Sequence, residues 1–154
     1  MYLIMTWGNI VAYTVKQITV KDLTGVLLRF IADSGDHLNR VYGDKFDWSH
    51  GFPLRYTIEK HIFLVCYRDQ EPIGFMIGTL NPMLFDINKS MLRQETLYAK
   101  YPRATVELLR YFIDLGKVRA NDVVVCIGNK TNLKPASLVK LGFTKTEEWY
   151  RLEV

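Results

Sequence analysis

The chain has 154 residues, 49% of them hydrophobic and 13% aromatic, with a formal net charge of +4. That supports one domain with a genuine core and is too short for two ordinary ones, so residues 1–154 are expected to form a single domain. No apolar run approaches membrane-spanning length, and MYLIMTWGNIVAY at the N-terminus lacks a basic leading segment and a small-residue cleavage site, so the chain reads as soluble and cytoplasmic.

The charge is unevenly placed. Residues 1–88 carry 8 Lys/Arg against 9 Asp/Glu, and residues 89–154 carry 12 against 7, giving −1 and then +5. A basic second half suits a phosphate-bearing ligand or a nucleic acid, and equally suits lysines scattered over solvated faces. The interleaved basic and aromatic stripe of a nucleic-acid stacking platform is missing, which argues against that partner. Cys66 in FLVCYR and Cys126 in VVVCIG both fall in strand-like apolar runs and read as reduced, buried small hydrophobes, so neither a disulfide framework nor a metal site is expected.

In chain order, alternation over residues 13–20 (YTVKQITV) predicts a first strand. Residues 22–31 (DLTGVLLRFI) place Leu23, Val26, Leu27 and Phe30 on one helical face. Residues 33–60 break into Gly, Asp, His and aromatic residues, an excursion of the kind that often carries a substrate site. His37, His50 and His61 have no ligand or triad spacing, and Trp48, Phe52 and Tyr56 read as satellite core. Two strands, 61–68 (HIFLVCYR) and 72–80 (PIGFMIGTL), joined by Asp69-Gln70-Glu71, predict a hairpin.

A weaker strand over 91–99 leads to AKYPRATVELLRYF, residues 99–112. Proline fixes its own φ and disfavours α geometry in the residue before it, so Tyr101 should stay extended and a helix should start at Pro102. The unpartnered amides of its first turn, at the positive end of the helix dipole and beside Lys100 and Arg103, can hold an anion. The helix carries Leu108, Leu109, Phe112 and Leu115 and is expected to end at Gly116. A strand over 122–127 (DVVVCI), a short helix over 135–141 stopping at Gly142, and a strand over 143–154 complete the chain. The order β-α-(α)-β-β-β-α-β-α-β excludes a helix bundle and a pure sandwich and makes the fold α/β.

The last third, residues 95–154, resembles the GNAT superfamily of acyl-CoA-dependent N-acyltransferases. The residues that carry the likeness are the strand before a phosphate-suited helix start, IGNKTN, and Lys140-Leu141-Gly142-Phe143. The resemblance implies a central, mostly antiparallel sheet of six to seven strands flanked by about four helices. It further implies acetyl-CoA or another acyl-CoA as co-substrate and an amine as acceptor, with no metal.

By the same resemblance, the Gln/Arg-x-x-Gly-x-Gly/Ala turn that cradles the CoA pyrophosphate falls on Lys100-Tyr101-Pro102-Arg103-Ala104-Thr105. Arg103 stands where the family has glycine, and either obstructs the cradle or supplies a guanidinium in its place. Leu97 and Tyr98 would pair with pantetheine through their main chains. Glu95 would be the base that takes a proton from the amine, against the alternative of a strand carboxylate paired with a lysine or arginine. Leu138 occupies the slot of the tyrosine that protonates the departing thiolate. Asn132 adjoins the asparagine slot that meets the pantetheine arm, and equally suits a helix N-cap.

These departures make the sequence similar to small GNAT-like proteins of short-tailed bacteriophages. Two readings therefore stand: an N-acetyltransferase acting by direct attack, with a homodimer allowed, or a catalytically degenerate structural or interaction protein with virion partners.

Overall fold

The computed structural model describes residues 11–19, 30, 33–34, 61–126 and 133–146. The predicted helix over 22–31 apart from Phe30, most of the 33–60 excursion with its histidines and aromatics, Asn132 and residues 147–154 lie outside that set. Strands β1 (Tyr13–Ile18), β2 (His61–Arg68), β3 (Glu71–Met83), β4 (Asp86–Ala99) and β5 (Asp122–Val124) form one sheet in the order β1-β2-β3-β4-β5. The first three pairings are antiparallel and β4–β5 is parallel, joined by helix α1 (Pro102–Arg119). A short helix α2 (Pro135–Lys140) follows β5. The expected mixed, mostly antiparallel α/β sheet is present, with five strands and two helices among the described residues.

Patterning explains which strands are central. β1 alternates between half-buried and exposed positions, as an edge strand with one wet face should. The cores of β2 and β3 are buried without interruption, so both faces of the sheet are covered there. One face carries Ile62, Leu64, Cys66, Met76 and Leu92 against Leu108, Leu109 and Phe112 of α1 and Leu138 of α2. On the other, Phe30, Phe75 and Tyr98 form an aromatic group with ring centroids 5.9 to 6.2 Å apart.

The β2–β3 connection is tighter than the sequence suggests. Arg68 pairs with Glu71, leaving Asp69 and Gln70 at φ of 49° and 73° as a two-residue turn of the kind that matches strand twist. The β3–β4 hairpin is longer than expected, running on to Met83 and Asp86, with Leu84 and Phe85 exposed at its tip.

Helix α1 starts at Pro102 with Tyr101 extended at φ −130°, ψ 144°, as the Tyr-Pro pair dictates. It does not end at Gly116 but runs on to Arg119. Gly116 is there to let the helix approach the sheet: a Cβ at this position would sit 2.1 Å from Val123 Cγ2. By contrast, Gly142 (φ 93°) does stop its helix, with Phe143 N–H donating to Leu138 O and Gly142 N–H to Val139 O, both at 3.0 Å. Residues 143–146 are irregular where a final strand was expected to begin.

Gly116→Ala sets about 1 kcal/mol of gained helix propensity against an overpacked α1–β5 contact that costs ~1–3 kcal/mol. The contact with Val123 should win, so urea unfolding should show net destabilisation; a more stable variant would mean that α1 and β5 are not in contact there.

Candidate functional site

Strands β4 and β5 run together through only three pairs, Met91↔Asp122, Leu92↔Val123 and Arg93↔Val124. Beyond Arg93, β4 continues to Ala99 with no β5 partner among the described residues. The change coincides with a bulge: on β3 the consecutive residues Ile77 and Gly78 face Thr96 and Gln94, so Glu95 is the extra residue. A bulge bends its strand and increases local twist, which turns β4 away from a parallel neighbour. The result is a parting of β4 from β5 that begins after Arg93.

Glu95 sits at this bulge with its carboxylate over the face opposite α1. Thr79 donates its hydroxyl to Glu95 Oε1 at 2.8 Å, and Asn81 Nδ2 donates to Thr79 Oγ1 at 3.0 Å. Arg93 Nε, shielded from solvent and without a hydrogen-bond partner, lies 3.9 Å from the same carboxylate oxygen. Glu95 is therefore paired with an arginine, the alternative weighed for it, and the Thr79 bond fixes its carboxylate at the bulge.

Leu97 packs towards α1 and Tyr98 enters the aromatic group on the other face, so both side chains are engaged in packing. Lys100 N–H donates to Ile73 O at 2.9 Å, carrying the β3–β4 ladder to the helix start. There the cradle differs from expectation. The amides of Ala104 and Thr105 both donate to Tyr101 O, at 3.0 and 3.4 Å, and Pro102 has no N–H. Arg103 alone keeps an amide without a backbone acceptor among the described residues of this turn. The first-turn amides expected to be unpartnered are in part used internally, because the tight turn closes those of Ala104 and Thr105 onto Tyr101. Ala104 is fully buried, and its amide is used by Tyr101.

The charged groups are also paired. Arg103 Nη2 is 2.7 Å from Glu107 Oε1, which Arg110 approaches at 3.7 Å. Lys100 Nζ is 3.7 Å from Glu71 Oε1 and stands 5.5 Å from the Phe30 ring centroid. Arg68, at the end of β2, lies over the Tyr101 ring at 5.2 Å. Three cations, Arg68, Lys100 and Arg103, thus stand at the start of α1 with Glu71 and Glu107 as their nearby carboxylates, and Arg110 lies farther along the helix beside Glu107. Arg68 was not singled out in the sequence, since only the β2–β3 hairpin brings it beside Tyr101.

Leu138 is buried in the α-helical core cluster, which leaves the tyrosine slot without a proton donor. Asn132 lies outside the described residues. Among those residues no group of His, Cys, Asp and Glu could hold a metal ion, and no helix is long and apolar enough to cross a membrane.

Comparison with solved structures agrees with this geometry. An aminoglycoside acetyltransferase from an uncultured soil metagenomic sample matches with a TM-score of 0.65 at 16% identity, covering 93% of this chain and 99% of that one. An aminoglycoside N-acetyltransferase solved in complex with CoA gives 0.67 at 13% identity, covering 94% and 97%. A protein described as a transcriptional regulator from Bacillus halodurans gives 0.69 at 15% identity, covering 93% and 100%. No protein-family model and no curated protein sequence matches. The chain therefore has the GNAT fold, and at these identities the likeness defines the fold alone.

The thiols were both expected to be buried; Cys66 is, and Cys126 is exposed because β5 ends at Val124, before reaching it. Burial, with a smaller contribution from the Glu107 carboxylate, pushes the Cys66 thiol up to about 11 from 9.0. Maleimide should label the native protein at Cys126 alone, and Cys126→Ser should abolish native labelling. Because the folded state holds the Cys66 proton more tightly, its contribution to stability is complete below pH 9 and is lost as pH rises towards 11. Denaturant melts of wild type and Cys66→Ala should diverge in pH dependence only in that window.

Proposed function

We propose that this chain is a GNAT-type N-acyltransferase that moves an acetyl group from acetyl-CoA to an amine by direct attack in a ternary complex. The observation that carries the reading is the parting of β4 from β5 at the Glu95 bulge, from which β4 leads to the positive start of α1. Main-chain groups of Leu97 and Tyr98 are assigned to the pantetheine amides, a reading supported by the end of β4–β5 pairing at Arg93. Lys100, Arg68, and the side chain and amide of Arg103 face the pyrophosphate end, with the backbones of Tyr101, Ala104 and Thr105 shaping the turn. Asn132 is assigned to the pantetheine arm.

In the reaction the amine nitrogen attacks the thioester carbonyl, the C–S bond breaks, and the amine proton passes to Glu95. Thr79 holds that carboxylate in place. Leu138 cannot protonate the leaving sulfur, so CoA departs as the thiolate and takes its proton from another donor or from solvent. We take residues 1–154 as one cytoplasmic domain. Isothermal titration with acetyl-CoA tests the reading: saturable binding is expected, and no heat at millimolar ligand sinks it.

A second reading, a GNAT fold that has lost catalysis and serves as a structural or interaction protein, is favoured by the Arg103–Glu107 pair and the occupied amides. Glu107→Gln separates the two. It removes the carboxylate that Arg103 and Arg110 share, so a working phosphate site should bind acetyl-CoA more tightly by ~1 kcal/mol, with the gain shrinking at high salt. Unchanged affinity would mean that these arginines serve only the helix surface.

A further inference from the structure

On the sheet face opposite α1, Arg93 and Glu95 bring unlike charges together without completing the bond between them. Arg93 Nε stands 3.9 Å from Glu95 Oε1, beyond hydrogen-bond range, and that oxygen already accepts the Thr79 hydroxyl at 2.8 Å. Arg93 Nε is shielded from solvent and has no hydrogen-bond partner. An arginine that serves only to anchor a neighbouring carboxylate closes the contact to about 2.7–2.9 Å, frequently with two parallel bonds. Here the guanidinium is kept beside the carboxylate with donor capacity unspent, and shielded donors without acceptors are rare because each is costly.

The strands hold the two groups in this relation. Thr79 pairs with Arg93 across the β3–β4 ladder, and the extra residue at the bulge lets Glu95 reach the same threonine. Asn81 Nδ2 donates to Thr79 Oγ1 at 3.0 Å, which leaves the Thr79 proton for Glu95. A closer approach of Oε1 to Arg93 would strain or break the Thr79 bond. Side-chain exposures of 41% for Arg93 and 37% for Glu95 leave both groups within reach of a solute. With Nε shielded, such a solute meets the guanidinium through its terminal nitrogens.

A carboxylate and a guanidinium at this separation are complementary to a small molecule that carries an ammonium and a carboxylate close together. In an α-amino acid both groups sit on the same carbon. Its ammonium can face Glu95 while its carboxylate takes Arg93, and the charges then alternate in sign around a ring. A polycationic acceptor gets no such match, because its further ammonium groups would be repelled by Arg93. A plain monoamine would gain from Glu95 alone.

We propose that Glu95 and Arg93 form the acceptor site for a free α-amino acid, Glu95 receiving its amino group and Arg93 its carboxylate. The acceptor role rests on the acyl-CoA reading, whereas recognition of the zwitterion rests on these side chains alone. Arg93 sets binding and specificity and takes no part in the transfer. Acetylation replaces the ammonium by a neutral amide, so the product loses its charge contact with Glu95 and is released more readily than the substrate.

The full chain is titrated with alanine, leucine, glutamate and lysine, each compared with its own α-carboxamide, and binding is followed by NMR at the Arg93 Nε–H and the Thr79 methyl. These probes need no acetyl-CoA. At least one amino acid should bind roughly tenfold or more tightly than its carboxamide, the scale of one charge-assisted hydrogen bond, and should shift the Arg93 Nε–H signal. In Arg93→Gln that ratio should fall to near one, and Arg93→Lys, which keeps the charge, should retain part of it. With acetyl-CoA present, the same amino acid should be acetylated with a kcat/KM ahead of its carboxamide by a similar factor.

Equal binding of every amino acid and its carboxamide to wild type overturns the proposal, as does a preference that survives in Arg93→Gln. Both are ratios within one folded protein, so a loss of stability does not imitate them. A zwitterion preference without acetyl-CoA binding upholds the amino-acid site and removes its acceptor role together with the acyltransferase reading. Acetyl-CoA binding without the preference removes the amino-acid site and leaves that reading standing.

Discussion

The extra residue at Glu95 is the constraint on which the site depends. Antiparallel pairing with β3 holds β4 along its whole length, from Asp86 to Ala99, whereas parallel pairing with β5 lasts for three residues. The bulge is where the first continues and the second stops. A strand held by one neighbour and released by the other is laddered along one side only, which in an ordinary sheet edge invites aggregation.

The helix that follows is placed by the same strand. The ladder runs without a break into Lys100, whose amide still bonds to Ile73, and two residues later Pro102 begins α1. Close packing then fixes the helix direction. Ala104, Leu108, Phe112 and Gly116, spaced four apart, form the buried stripe, and Gly78 and Gly116 remove the side chains that would hold the helix off the sheet. Among the described glycines, Gly78 and Gly116 thus act in the contact between α1 and the sheet. The first turn of α1 closes two of its own amides, those of Ala104 and Thr105, onto Tyr101.

Local chemistry made much of the fold legible in the sequence. The apolar runs of β2 and β3 announce strands buried on both faces, Tyr101-Pro102 fixes the start of α1, and Gly142-Phe143 writes out a helix stop whose hydrogen bonds are all within six residues. What escaped notice is non-local. Gly116 has the look of a helix end, and only the presence of Val123 above it shows why the helix continues. Cys126 lies in the apolar run VVVCI, yet β5 ends two residues before it because β4 has turned away. The bulge has no composition of its own: Arg93-Gln94-Glu95-Thr96 reads as plain polar alternation until β3 sets the register. Glu107, unremarkable as a helix-surface carboxylate, turns out to pair with the arginine on which the phosphate reading leaned.

That pairing bears on how a GNAT fold with altered motifs could still work. In a glycine-rich cradle the backbone supplies the donors, and their geometry is fixed before the ligand arrives. At the start of α1 the donors are long side chains, Arg68, Lys100 and Arg103, restrained by Tyr101, Glu71 and Glu107. A ligand with several phosphate charges would have to compete with two carboxylates for these cations, trading one set of charge-assisted bonds for another. Net affinity would then come from the excess of cations over carboxylates and would be more sensitive to salt than a backbone cradle is. Selectivity for the rest of the ligand would fall to β4 beyond its bulge, where pairing with β5 has ended. Fold and charge can therefore be retained while catalysis is lost, and β4 beyond its bulge, more than the basic start of α1, is where the two readings of this protein differ physically.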